Sequence, residues 1–165
     1  MKTLLLVRHA KSSWDDLTMK DFDRPLNERG KKDAPEMAGR VKELGVKVEH
    51  FVSSPARRAR RTARFFAEAF GFSKDDVKLV DNLYEPTVQA FGEAVGALPD
   101  GKNVVALFAH NPGITEYVNS LTNVRVDDMP TCAVFAVSAD IKTWFDFGLA
   151  EKQFLFFDYP KNPLG

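Results

Sequence analysis

Residues 4–10 read LLLVRHA: four aliphatic side chains, then an arginine and a histidine with no transition between. An uninterrupted aliphatic run of that length suits a short strand buried on both faces, as strands are inside a parallel sheet covered by helices. In open α/β sheets ligands bind outside the carboxyl ends of the strands. A functional edge is therefore one reading of Arg8 and His9, and a strand end that simply meets solvent is the other. Residues 103–110, NVVALFAH, repeat the design and again end in a histidine, His110. The third histidine, His50, falls mid-strand among charged residues and is assigned a structural role.

After the first strand, KSSWDDLTMKDFDRP is polar, mixed in charge and punctuated by Pro25, which predicts a loop over the strand's tip. Lys11, Ser12 and Ser13 stand close enough to His9 to help hold an anion, or are ordinary solvated loop residues. Asn27 is a good N-cap, and apolar residues at Ala34, Met37, Ala38, Val41 and Leu44 recur at helical spacing up to Gly45. Pro35 either kinks that helix or marks a fresh start. Residues 46–53 read as a second strand, with Pro55 in the first turn of the next helix. Residues 77–80 read as a third strand, followed by Glu85, a helix-starting Pro86 and a helix carrying Val88, Phe91, Val95 and Leu98. A further helix follows Asn111-Pro112-Gly113, and strand-like runs fall at 133–137, 143–147 and 154–157. Strand–helix alternation of this kind predicts an α/β fold, a mostly parallel central sheet with helices on both sides.

The 165 residues, 44% of them hydrophobic, are enough for one well-buried core and short for two, so a single domain over residues 1–165 is expected. Lys and Arg total 23, as do Asp and Glu, which leaves no bulk charge to draw nucleic acid or a membrane surface. The apolar run at the amino terminus is too short for a signal peptide and nowhere do 18 apolar residues follow one another, so a soluble, cytoplasmic protein is expected. Cys132, the one cysteine, reads as a packed core residue. Cys, His and Asp side chains do not cluster at metal-ligand spacing, and neither a metal nor another cofactor is expected.

The most informative helix is PARRARRTARFFAEAF, residues 55–70. At about 100° per residue, Ala56, Ala59, Thr62, Ala63, Phe66 and Phe70 share one face, and Arg57, Arg60, Arg61 and Arg64 the opposite one. Arg58 belongs to neither. It lies on the flank in the first turn, able to point toward the strand ends, where a helix amino terminus already favours an anion. The other four arginines read as a solvated face or as a docking patch for an acidic partner.

Arg8, His9, Arg58, Glu85 and His110 together describe a phosphate site. Two guanidiniums would hold nonbridging oxygens, one imidazole would attack, the other would share charge, and the carboxyl would protonate a leaving group. LVRHA at 6–10, SSPARRARRTA at 53–63, LYE at 83–85 and AHNPGI at 109–114 resemble, in order, the four signature segments of the histidine phosphatase superfamily. That resemblance implies a phosphoglycerate-mutase-like, three-layer α/β/α sandwich. The RHAKSSW opening, the DFDRPLNERG segment and the NPGI helix make the chain most similar to the SixA-type phosphohistidine phosphatases. By that likeness His9 is the nucleophile that becomes phosphorylated, Arg8 and Arg58 bind phosphate, His110 is the second pocket histidine and Glu85 aligns with the acid. Ala10 stands where the motif has glycine, and Arg61 where glutamine precedes Thr-Ala.

The activity so implied is metal-independent hydrolysis of phosphohistidine on a protein partner through a phosphohistidine enzyme. A small phosphoester substrate is the alternative within the superfamily, and a noncatalytic module binding phosphorylated ligands is the alternative outside enzymes. Nucleic-acid binding through the arginine-rich helix is disfavoured by the zero net charge and the lack of interleaved aromatic residues.

Overall fold

The computed structural model of the chain describes residues 1–162. Its strands are β1 (Lys2–Arg8), β2 (His50–Ser53), β3 (Val77–Leu79), β4 (Val104–Ala109), β5 (Val134–Ala139) and β6 (Lys152–Asp158), joined in one sheet in the order β3-β2-β4-β1-β5-β6. The first four run parallel, and β5 is antiparallel to both β1 and β6. The sheet is therefore mixed and mostly parallel, as expected. Strand composition explains the order. The side chains of Leu4–Val7 and of Val105–Ala109 are fully buried, which suits β1 and β4 to the centre, whereas edge strand β6 is only partly covered.

Helices cover both faces. Leu5 and Val7 of β1 pack toward α1 (Glu28–Glu43) and α2 (Arg57–Ala69), while Leu4 and Leu6 pack toward α3 (Val88–Gly96) and α4 (Gly113–Leu121). This is the period-2 alternation of a strand put to use on two cores at once. Each fully buried leucine contributes roughly 1.5–3 kcal/mol, so the strand that ends in Arg8 and His9 is among the most firmly held parts of the molecule. Among the described residues no helix is long and apolar enough to cross a membrane.

The Asn27 side chain caps α1 by accepting from the Gly30 amide at 2.9 Å, and the helix runs unbroken through Pro35. Gly45 then turns the chain at φ +83°, in the left-handed region. Several expected boundaries move. Residues 46–49 precede β2 instead of belonging to it, because the neighbouring β4 begins only at Val104; the Glu49 carboxylate accepts from the Asn103 and Val104 amides at that edge. His50 consequently opens β2 at the amino end of the sheet, away from the strand tips. Helix α2 starts at Arg57, two residues beyond Pro55, and α3 starts at Val88 behind the Thr87 cap, beyond Pro86. Residues 143–147 are not a strand: Trp144–Gly148 form a 3-10 helix that buries Trp144 and Phe147, three apart, and leaves Phe145 exposed.

Two glycines tie helix starts to the loops around the strand tips. A Cβ on Gly30 would collide with the Lys11 carbonyl, and one on Gly113 with the Pro86 carbonyl. Gly39, in the middle of α1, has open space around it. Alanine at Gly30 is therefore expected to destabilise the fold by about 1–3 kcal/mol, whereas Gly39→Ala should stabilise it by roughly 0.5–1 kcal/mol. Urea unfolding of the two variants checks this, and shifts of the same sign would contradict it.

Candidate active site

The register of β1 against β4 sets Arg8 opposite Ala109, so the next residue of each strand is a histidine. His9 and His110 leave the sheet side by side, with ring centroids 5.1 Å apart. Both are nearly inaccessible, at 6% and 4% exposure. His9 Nδ1 lies 2.7 Å from the Ala10 carbonyl oxygen. Because a carbonyl only accepts, Nδ1 carries the proton, which leaves Nε2 with its lone pair. His110 Nε2 lies 2.7 Å from Ser54 Oγ, the hydroxyl just beyond β2, which also accepts from the Ala56 amide.

Helix α2 is fastened to the same place by Thr62. Its Oγ1 accepts from the Ala10 amide at 2.9 Å and donates to the Arg58 carbonyl at 2.8 Å. The helix start is thereby fixed relative to His9, and Arg58, 6% exposed, points inward as the helical wheel predicts. Arg58 Nη1 donates to the Asp21 carbonyl at 2.7 Å and Nη2 to Asp21 Oδ2 at 3.0 Å. Arg8 Nη1 donates to the Met129 carbonyl at 2.8 Å. The Nε atoms of Arg8 and Arg58 are buried with no acceptor among the described residues. Arg8, His9 and Arg58 line a cleft of about 520 Å³ whose other wall includes Lys11, Ser12 and Arg24.

Burial and cationic neighbours set the protonation states. Burial lowers the His9 pKa well below the usual histidine value, and His110, Arg58 and Arg8 push it the same way against the Ala10 carbonyl. Burial, then Arg58, takes His110 down to about 3. Burial lowers Arg8 from its ordinary value, an effect that Asp128 opposes. Asp21 goes the other way from what its burial alone would give: hydrogen bonds from Tyr84, Arg58 and Arg24, with the Arg58 charge, hold its carboxyl at about 2. Burial and the same Asp21 contact raise Tyr84 to about 12. The cleft thus presents arginines and His9, backed by the His110 imidazole and the Asp21 carboxylate, an arrangement able to hold an oxyanion beside an unprotonated nitrogen.

Four of the five residues singled out in the sequence come together here. Glu85 does not line this cleft; it is exposed in a separate groove with Asp81, Asn82 and Thr87, beyond Tyr84. Sequence reasoning missed Asp21, Arg24, Ser54 and Tyr84. Arg24 is 7% exposed, donates to Asp21 Oδ1 at 3.1 Å and Ser12 Oγ at 2.7 Å, and stacks under Trp14 at 3.6 Å. The Tyr84 hydroxyl donates to Asp21 Oδ2 at 2.6 Å, and its ring meets His110 edge-on at 5.6 Å. The DFDR loop gave no periodic signal, but an arginine and an aspartate so close to a proline-bounded loop end were the available hint.

The two imidazoles make stability depend on pH in a stated direction. Their folded-state pKa values lie below the unfolded one, so the unfolded chain binds more protons as the solution acidifies. Their contribution is complete above about pH 6.5 and is lost below it, at up to about 1.4 kcal/mol per pH unit for each histidine. The urea midpoint is expected to fall between pH 7 and pH 5, and to fall less steeply in His110→Asn. Equal slopes in the two proteins would contradict the assignment.

Comparison with known proteins agrees with this geometry. The model of the histidine phosphatase superfamily (branch 1) matches residues 4–96. An uncharacterized chloroplastic protein of Arabidopsis thaliana is 30% identical over 152 residues, covering 87% of this chain and 69% of that protein. Probable phosphoglycerate mutase GpmB of Escherichia coli is 38% identical over 73 residues, 43% of this chain, and the match spans only 33% of that protein's length. The structure of the protein histidine phosphatase SixA complexed with tungstate superposes with a TM-score of 0.80 at 21% identity, covering 96% of this chain and 97% of that one. On the family match and the Arabidopsis relative together, this chain belongs to the histidine phosphatase superfamily, branch 1.

Proposed function

We propose that the chain, acting as one domain, is a phosphohistidine phosphatase that removes phosphate from a histidine on a protein partner. The observation that carries this reading is the state of His9: buried, neutral, with Nδ1–H held by the Ala10 carbonyl and the ring lining a cleft edged by Arg8 and Arg58. In the first step His9 Nε2 attacks phosphorus and the substrate's P–N bond breaks; the departing imidazole takes its proton before leaving or from water. In the second, water attacks phospho-His9, inorganic phosphate departs and neutral His9 returns. Arg8, Arg58 and His110 spread the charge of the transferring group. Arg24 joins them by its place on the cleft wall.

A phosphohistidine leaving group needs little acid help, which fits a cleft that Glu85 does not line. Glu85, exposed in the neighbouring groove, is given no acid role in this step. The likeness in fold to the protein histidine phosphatase SixA, solved in complex with tungstate, supports the same substrate class.

Phosphate release from a phosphohistidine peptide, run beside p-nitrophenyl phosphate with EDTA present, tests the reading. Wild-type protein should favour the peptide, and His9→Ala should abolish turnover of both. Release confined to the ester would replace the proposal with a small-molecule phosphatase, and phosphate-ligand binding without turnover would replace it with a binding module. Glu85→Gln should leave hydrolysis of a phosphohistidine peptide and of a phosphoserine peptide nearly unchanged, as its place outside the cleft requires. A loss of about 10²-fold confined to the phosphoserine peptide would overturn this placement and make Glu85 the ester's general acid.

A further inference from the structure

The four arginines on the outer side of α2 have no counterpart in the chemistry above. Arg57, Arg60, Arg61 and Arg64 recur at spacings of three and four, so every neighbouring pair on this stripe is a like-charge pair. Among the described residues none of them forms an ion pair. Together with Lys31 they line a cavity of about 210 Å³ against Pro25 and Leu26. Its lining includes no acidic side chain. Arg60 Nε and Arg64 Nε are buried without an acceptor among the described residues, although a buried guanidinium N–H ordinarily has one. This stripe is also continuous with the cleft: Arg57 borders it and Arg58 the cleft, while Arg24 lines the cleft and Pro25 and Leu26 line the stripe's cavity.

We propose that this surface is a docking site for an acidic, extended segment of the phosphoprotein whose histidine enters the cleft; the identity of that substrate rests on the function proposed above. Length decides for a row of carboxylates over a single phosphate. From Arg57 to Arg64 the helix rises roughly 10 Å, the reach of about three residues of extended chain. One phosphate meets one or two of these guanidiniums, whereas the two Asp or Glu side chains that such a segment turns to one face can each engage a pair of them. Nucleic acid fits less well. Phe65, the aromatic ring at this surface, lies beneath Arg61 with its centroid 5.0 Å from the guanidinium, so no open ring is offered for a base to stack on.

The test uses the full chain, two phosphohistidine peptides and one binding probe. The peptides share the same phosphohistidine core; one is flanked by Asp and Glu and the other by Asn and Gln. Wild-type kcat/KM should favour the acidic peptide by about tenfold at low salt, mostly through KM, and the preference should fade as ionic strength rises. The triple variant Arg60→Gln/Arg61→Gln/Arg64→Gln should lose that preference while hydrolysing p-nitrophenyl phosphate at the wild-type rate, which also shows that it folds. The triple lysine variant should keep most of it. The binding arm needs no turnover: fluorescence anisotropy of a fluorescein-labelled, unphosphorylated Glu-rich peptide should show binding to wild type that weakens about tenfold in the glutamine variant. A protein that binds this probe through the arginines but cleaves neither phosphohistidine peptide retains the acidic docking surface and loses the substrate assignment. Equal kcat/KM for the two peptides with equal probe binding by wild type and variant would overturn the docking site. So would tighter binding of a labelled oligothymidylate than of the acidic peptide.

Discussion

Parallel pairing of β1 with β4 brings two imidazoles to the same height at one edge of the sheet, and their burial keeps both neutral. The pairing is secured by apolar residues on both faces of each strand, so the position of the reacting nitrogen follows from core packing and not from the loops. The loops add orientation. A single contact, from His9 Nδ1 to the carbonyl of the next residue, fixes the tautomer and leaves the other nitrogen as a base or nucleophile. Thr62 then ties the arginine-bearing helix to that same residue, so the histidine and Arg58 cannot drift independently.

Charge balance gives the site its second constraint. Arg8, Arg24 and Arg58 gathered around neutral imidazoles would repel one another without an anion. Asp21 supplies one, held by Tyr84 and shared between Arg58 and Arg24, yet the Nε groups of Arg8 and Arg58 still face no acceptor among the described residues. A phosphoryl group, with three peripheral oxygens, is suited to such an excess of donors. The same imbalance recurs on the outer side of α2, where it points to a partner instead of a reacting group.

Much of this was legible in the chain because its informative residues sit on regular elements. An aliphatic run has only a few ways to be buried, and a helix fixes which side chains share a face, so His9, His110 and the inward turn of Arg58 could be placed from pattern alone. The expected elements at 46–49 and 143–147 failed for different reasons. The first lacks a neighbouring strand to pair with, and the second buries residues three apart in a window too short to separate a strand from a 3-10 turn. Asp21, Arg24 and Tyr84 act through contacts across the fold from loop positions, where no periodicity marks them. Glu85 was named from motif order, and motif order says nothing about which side of Tyr84 its carboxylate takes.

The most direct test of the account is to find where phosphate rests between the two steps. Rapid acid-free quenching during turnover of a ³²P-labelled phosphohistidine peptide, followed by proteolysis and mapping, should place an acid-labile, base-stable label on His9 Nε2. Continued turnover with the label on another residue, or with no label under conditions where the second step is slowed, would contradict the claim that a buried, neutral His9 is the nucleophile.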